Sequence, residues 1–156
     1  MKKKPKMTQK LNRRETALAI RDACGKYYAK KLYALSYELQ LNRASRKSPA
    51  LRADIIALSM KKQVIIVEVK SSWADFKTDT KYPNYLPYCN KLYIACPAAI
   101  AERVKAAVPK EVGVMSWPSL RIIKSARQSP VDPETFEKLL MRMVFRRSEL
   151  GKRKNA

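Results

Sequence analysis

The segment QVIIVEVKSS, residues 63–72, does more than any other to fix what this chain can become. Val64, Ile65, Ile66, Val67 and Val69 form a β-branched run suited to a strand buried on both faces. Glu68 and Lys70 interrupt it two residues apart. Strand side chains alternate, so both charges point to the same face. Inside a sheet such charges are costly unless they are paired, hydrogen-bonded or bound to a cation. On an amphipathic edge strand a Glu-x-Lys pair is an ordinary cross-strand or solvated ion pair. Here the flanking residues are apolar on both parities. The preceding apolar run, Ala53-Asp54-Ile55-Ile56-Ala57-Leu58, carries a second acid. Only a short turn around 60–62 separates the two runs, which predicts an antiparallel hairpin.

The rest of the chain supplies elements around that hairpin. Ala17, Leu18, Ile20, Ala23 and Cys24 fit one face of a helix over 12–29. Residues 32–41, LYALSYELQL, read as a strand with Tyr33, Leu35, Tyr37, Leu39 and Leu41 on one parity and Glu38 on the other. A basic loop over 42–52 leads into strands over 53–58 and 63–70. Ser71 or Ser72 can cap a charge-rich helix over 73–82 that stops near Pro83. A strand over 91–95, a helix over 98–107 and extended runs over 112–117 and 120–125 follow, the last at the sheet edge. Asp132 and Pro133 open a final helix that ends near Arg147, with Asp as N-cap and Pro in the first turn. Its core face is Phe136, Leu139, Leu140, Met143 and Val144. The order α-β-β-β-α-β-α-β-β-α predicts an α/β fold, a mixed central sheet flanked by helices. With 156 residues, a single domain over 11–148 is expected, with a basic arm over 1–10 and a basic tail over 149–156.

Charge narrows the partners. Thirty-four Lys and Arg face thirteen Asp and Glu, a net charge of +21. Repulsion on that scale opposes compaction unless a polyanion offsets it. Nucleic acid, an anionic membrane surface and an acidic protein are the three kinds available, and nucleic acid is the first candidate for a basic globular chain. Three runs carry the charge: Lys2, Lys3, Lys4, Arg13 and Arg14 within 1–14; Arg43, Arg46 and Lys47 within 43–52; Arg146 and Arg147 within 142–154. One such run alone is usually a solvated face. Residues 134–147 are a weak match to a membrane-surface helix. No apolar stretch approaches the roughly 20 residues of a membrane span, and none follows the basic N-terminus as in a secretory signal. A cytoplasmic location without membrane association is therefore expected.

Cys24, Cys89 and Cys96 sit in apolar or aromatic contexts and read as reduced core thiols. There is no Cys-x-x-Cys pair and no histidine, so no structural zinc site is expected. Without histidine, Ser-His-Asp and Cys-His catalysis and any histidine general base are excluded. Hydrolysis by this chain would fall to carboxylates, lysine and a hard metal ion. Mg²⁺ takes oxygen ligands and keeps several waters. Asp54 and Glu68 on adjacent strands, with the carbonyl of Val69, could hold such an ion. Bound there it would neutralise charge on a phosphodiester and activate water. Lys70 could orient that water or stabilise the developing charge. Glu38 could complete the site or bind a second ion. Asp75, Asp79 and Lys81 fall near one face of the helix expected over 73–82. There the two acids either order Arg52 and Lys81 beside the metal or form solvated charge pairs. Tyr82, Tyr85 and Tyr88, close to Trp73, either stack on bases or pack in the core.

The spacing of Asp54, thirteen residues and then Glu68-Val69-Lys70 resembles the PD-(D/E)XK nuclease superfamily. Residues 51–97 more closely resemble the MmcB-like bacterial DNA-repair family. The likeness lies in Arg52-Ala53-Asp54, Glu68-Val69-Lys70-Ser71-Ser72, Asp75-Phe76, Asp79-x-Lys81, Tyr85 and Tyr93-x-Ala95. Ala53 replaces the proline of the superfamily's name, and a glycine expected before Arg52 is missing. The resemblance implies a restriction-endonuclease-like αβββαβ core, with Asp54 and Glu68 as metal ligands, Lys70 as catalytic lysine and Glu38 as an accessory acid. The expectation is a Mg²⁺-dependent endonuclease, with Mn²⁺ as substitute and no small-molecule cofactor, acting on branched or damaged DNA in repair or recombination. Small basic junction resolvases of that superfamily work as dimers, so a homodimer is expected by analogy. The setting would be the nucleoid or a phage or mobile element. The alternatives are a non-catalytic DNA- or RNA-binding protein of the same fold, its acids forming structural ion pairs, and a basic protein that captures an acidic one.

Overall fold

A reciprocal cap starts the first helix. The Asn12 side chain accepts the Glu15 N–H at 2.9 Å, and the Glu15 carboxylate accepts the Asn12 N–H at 3.0 Å. Helix α1, Arg13–Lys30, follows, and Ile20, Cys24 and Tyr28 are its buried face. The computed structural model describes residues 10–147, so most of the expected arm and the whole tail, Lys2, Lys3 and Lys4 included, lie outside the described residues.

Strands β1 (Ala34–Gln40), β2 (Arg52–Leu58) and β3 (Val64–Val69) come next. Helix α2 (Trp73–Thr78) and a 3-10 segment, Tyr82–Tyr88, lead to β4 (Lys91–Pro97). Helix α3 (Ala98–Ala107), strands β5 (Gly113–Trp117) and β6 (Arg121–Lys124) and helix α4 (Pro133–Arg147) complete the order. The strands form one sheet in sequence order. β3, β4 and β5 are parallel, and the other neighbours are antiparallel. The expected element order and mixed sheet flanked by helices are those observed. They are consistent with a restriction-endonuclease-like core.

The apolar run of β3 buries all six residues. Ile65 and Val67 face the cluster that holds Ile20, Cys24 and Tyr28 of α1. Val64 and Ile66 face the opposite cluster, with Val104 of α3 and Leu139 and Met143 of α4. A strand covered on both faces needs no polar alternation, which is why its sequence shows none. Asp132 accepts the N–H groups of Glu134 and Thr135, each at 3.2 Å, and so caps α4. At its other end, Arg146 donates to the Glu38 carbonyl at 3.2 Å and Arg147 to the Leu35 carbonyl. Those carbonyls belong to the edge strand β1, and covering an edge blocks further strand pairing.

Leu18, Leu140 and Val144, expected on the core faces of α1 and α4, are exposed. Two expectations about the course of the chain also need correction. Alternation along β1 predicts Leu35 and Leu39 on one face, yet Leu35 packs with the α1-side cluster and Leu39 with the opposite one. Glu38 lies between them in the left-handed region, φ 50°, which turns the strand over. In the partner strand, Ala53 and Ile55 divide between the clusters in the same way. The second correction is the helix expected over 73–82, which ends at Thr78. Asp79 leaves it in an extended conformation, φ −83° and ψ 110°, because its carboxylate is used elsewhere.

Gly113 opens β5 where two elements meet closely. A Cβ there would stand 2.5 Å from the Tyr93 ring and 2.6 Å from the Ala126 backbone nitrogen. The backbone cannot yield as a flexible side chain can. Gly113→Ala is expected to destabilise the protein by about 1–3 kcal/mol, the usual cost of overpacking. Denaturant titration checks this, and an unchanged midpoint would contradict the packing described.

Candidate active site

The β2–β3 ladder stops at the pair Ile55–Val67. The next facing residues are Asp54 and Glu68, and their side chains take over from the ladder. The Asp54 N–H donates to Glu68 Oε1 at 3.0 Å, and the Val69 N–H donates to Asp54 Oδ2 at 2.8 Å. Each carboxylate thus binds a backbone N–H of the strand that carries the other. One oxygen of each is taken in this way, leaving the second oxygen of each for another ligand. In an extended strand a residue's N–H and C=O point to the same side. The Val69 carbonyl therefore faces the gap into which its N–H donates.

Lys70 extends β3 by one position, its N–H bound to the Ala95 carbonyl at 2.9 Å. Its ammonium meets Asp79 Oδ2 at 2.6 Å, with the two side chains 9% and 15% exposed. Asp79 also accepts the backbone N–H of Lys81 at 2.7 Å and that of Tyr82. The early end of α2 is what frees Asp79 for this contact. Asp79 follows neither alternative, ordering Arg52 and Lys81 or a solvated charge pair: it holds the Lys70 ammonium and, of Lys81, only the backbone. The Lys81 and Arg52 side chains are exposed, and the Arg52 carbonyl is bound by the Tyr85 hydroxyl at 2.8 Å. Asp75 sits in the first turn of α2 and accepts the N–H of Ser71 at 3.0 Å, while Ser72 caps the helix through the Asp75 N–H at 3.1 Å.

Glu38 stands opposite Asp54, since the β1–β2 register continues on both sides of that pair. It is exposed, and Arg21 lies 3.9 Å from its carboxylate. Arg13 and Arg14, at the start of α1, line a cavity of about 450 Å³ with Ser71, Ala74, Asp75 and Thr78 of the α2 region. Arg43, Arg46 and Lys47 are exposed on the loop that enters β2. Arg146 and Arg147 are bound to β1 carbonyls, as described above. Tyr82 and Tyr85 are buried in the core; Tyr88 is half-buried. The choice between stacking and packing therefore resolves to packing for the first two.

The electrostatics follow from burial. Burial raises the pKa of Asp54; the Val69 N–H and Lys70 oppose this, while Glu38 and Asp75 add to it, and the net shift is upward. Glu68 is only 4% exposed. Burial and then the nearby Asp54 carboxylate push its pKa up to about 8. The Asp54 N–H and Lys70 offset this only in part. Burial alone would lower the Lys70 pKa, but the hydrogen bond and charge of Asp79 outweigh it and raise it. Asp79 is held below its usual value, burial being overcome by Lys70 and the two backbone N–H groups. Lys70 and Asp79 therefore keep their charges, whereas Asp54 and Glu68 lack a compensating cation.

That imbalance tests whether a metal ion fits. Two desolvated carboxylates and a carbonyl share one gap, all are hard oxygen donors, and both acids hold protons more tightly than usual. Among the described residues no group of three His, Cys, Asp or Glu side chains could hold a metal ion. Two carboxylates and a carbonyl would leave the remaining positions of a hard ion such as Mg²⁺ to water. The residue whose role sequence reasoning missed is Asp79 as the partner of Lys70. Pro83 marks where the helix cannot continue, but nothing in the spacing marks Thr78 as its last residue.

A family model described as "DNA repair protein MmcB-like" matches residues 3–149. A search of curated proteins returned no match. Among solved structures, a protein of unknown function from Silicibacter pomeroyi, SPO1766, superposes with a TM-score of 0.72. It shares 20% sequence identity, with 90% of each chain covered, a likeness of fold. No helix among the described residues is long and apolar enough to cross a membrane.

The raised pKa of Glu68 gives a pH dependence of definite sign. Unfolded Glu68 loses its proton near 4.5, and the folded residue keeps it to about 8. Stability therefore falls as the pH rises through that window. Asp79, whose pKa is lowered, acts with the opposite sign and elsewhere, losing its stabilising effect as the pH falls below the ordinary Asp value of 3.8. Thermal unfolding in chelator between pH 4.5 and 8 should show the fall, and Glu68→Gln should reduce it to the part that Asp54 contributes. An equal slope in the variant would refute the role given to Glu68.

Proposed function

The chain belongs to the MmcB-like DNA repair protein family, and from that premise we propose that it hydrolyses DNA phosphodiester bonds at Asp54, Glu68 and Lys70 with Mg²⁺ as cofactor and Mn²⁺ as substitute. The observation that carries this reading is the reciprocal bonding of Asp54 and Glu68 where the β2–β3 ladder stops. A purely structural pair would be acid with base. Here two acids face each other, and the one buried base nearby is paired with a third acid.

When bound, the ion would lower the pKa of a water and offset charge on the phosphate. The chain's own groups do the rest. The backbone N–H bonds fix the two carboxylates, so their free oxygens keep a set separation. Glu68, whose pKa burial and Asp54 raise, would give up its proton more readily with a cation bound beside it. Lys70 lies on the Glu68 face of β3 and stays charged, so it can stabilise negative charge developing on the scissile phosphate. Asp79 sets where that ammonium points. Arg13 and Arg14 beside α2, and Arg43, Arg46 and Lys47 on the loop before β2, can bind flanking phosphates. A branched or damaged substrate, a homodimer and action at the nucleoid, or in a phage or mobile element, extend the proposal by analogy.

The test uses supercoiled, single-stranded and four-way-junction DNA with Mg²⁺, Mn²⁺ or EDTA. Cleavage is expected only with metal, and Glu68→Ala and Lys70→Ala should abolish cleavage but not DNA binding. Binding without cleavage on every substrate would favour the non-catalytic reading. Cleavage that survives both substitutions would place the chemistry elsewhere.

Asp79→Asn separates positioning from binding. It should lower kcat by about 10²-fold, the scale of a 1 Å misplacement, and leave DNA affinity unchanged. It should also destabilise the fold by about 3 kcal/mol, the lower figure for breaking a buried pair. A kcat equal to that of the unaltered protein, measured where circular dichroism shows both folded, would remove Asp79 from the mechanism.

A further inference from the structure

The end of the sheet opposite Asp54 and Glu68 is strongly basic. β1, β3, β4 and β5 begin there, and β2 and β6 end there. The segments meeting at that end, 30–33, 59–63, 89–91, 108–112 and 124–128, contain eight cations: Lys30, Lys31, Lys61, Lys62, Lys91, Lys110, Lys124 and Arg127. Glu111 is their one acid. None of these cations belongs to the three basic runs that stand out in the sequence, because the fold collects them one or two at a time from five connections.

The surface has a defined shape. A cavity of about 570 Å³ opens there, lined by Lys31, Lys61, Lys91, Gln63 and Gln128 among others, with no acid in its wall. The two glutamine amides bind each other, at 2.8 and 3.2 Å. Its turns are tightly bonded: the Lys62 N–H reaches the Ser59 carbonyl at 3.0 Å, and the Leu32 N–H the Ala29 carbonyl at 3.0 Å. Lys62 and Leu32 both lie in the left-handed region, φ 63° each, which is unfavourable for a residue with a Cβ. These turns hold Met60 and Leu32 out in solvent, 96% and 85% exposed, amid the lysines.

We propose that this end is a second DNA-binding surface, which grips the phosphate backbone of a duplex segment other than the one at the candidate active site. The proposal rests on the reading of this protein as one that acts on DNA. The six residues of β3 separate the two ends by roughly 20 Å at about 3.3 Å per residue. The ends face opposite ways, so a straight duplex seated at Asp54 and Glu68 does not reach the lysines. Two arms of a branched DNA, or two duplexes, can. Three lysines and two amides around one cavity suit phosphate and sugar oxygens, contacts that fix position without reading sequence. Met60 and Leu32 can press on sugars or a groove floor. An anionic membrane is the competing partner, but these two side chains come from separate turns and form no amphipathic helix.

The test uses the full chain carrying Glu68→Ala, so that no DNA is cut. Two 30-base-pair duplexes with different dyes are mixed with it, and energy transfer reports bridging. Bridging is expected, and K61Q/K62Q/K91Q should abolish it while one duplex still binds. The salt slope of binding should fall by about 0.9 for each phosphate no longer neutralised, or nearly 3 for the three lysines. All three substitutions lie at the ends of strands or in turns, and circular dichroism checks the fold. Unchanged bridging and slope in the triple variant would overturn the proposal. So would a variant that loses binding to anionic phosphatidylserine vesicles but keeps its DNA behaviour. Failure of the hydrolytic reading shows separately, as unaltered protein that bridges duplexes but cuts none.

Discussion

Two carboxylates facing each other across an interrupted strand pair set the terms for much of this structure. Asp54 and Glu68 occupy the positions where backbone pairing between β2 and β3 would continue, and each replaces a missing ladder bond by accepting an N–H from the other strand. A hydrogen bond to a charged group contributes about 1.5–3 kcal/mol, so the exchange need not weaken the hairpin. What it does not supply is positive charge. The pair stays desolvated and self-repelling, and the proton on Glu68 is the structure's own partial remedy. A bound cation would be another remedy, since metal binding competes with protons for carboxylates.

The neighbouring elements are arranged around this pair. Lys70 could have neutralised Glu68 directly, two residues along the same face. Asp79 holds it at 2.6 Å, and α2 must end at Thr78 for that contact to form. Glu38, facing Asp54 from β1, takes a left-handed conformation that turns the strand from one core cluster to the other. Strain of that kind persists where surrounding structure over-determines it, and it concentrates at functional sites. Here the docking of Arg146 on the Glu38 carbonyl is one of the restraints.

Much of this was legible in the sequence because it depends on local pattern. The β-branched run of β3, the short turn after β2, the Asn12 and Asp132 caps and the parity of Glu68 and Lys70 are properties of a few adjacent residues. The αβββαβ order followed from them. What escaped was set by long-range pairing. No periodicity reports that Asp79 leaves its helix to meet a lysine nine positions earlier. The turnover at Glu38 is equally hidden, since Tyr33, Leu35, Tyr37, Leu39 and Leu41 alternate without a break in the sequence. The basic end of the sheet was invisible for the opposite reason: its cations are scattered in ones and twos along the chain, and only the topology gathers them.

That topology also divides the charge of a very basic protein. Of thirteen acids, Glu38, Asp54, Glu68, Asp75 and Asp79 lie around one end of the sheet, while the connections at the other end contribute eight cations and one acid. A net charge of +21 attracts DNA to the molecule as a whole, but the acids repel phosphate locally at the site itself. On the proposed reading, affinity comes from the flanks and from the far end, and the scissile phosphate enters the acid cluster only when a cation is there. Binding and cleavage are thereby assigned to different charges. On that reading the chain would hold DNA without cutting it, and would cut only with an ion that suits its two carboxylates.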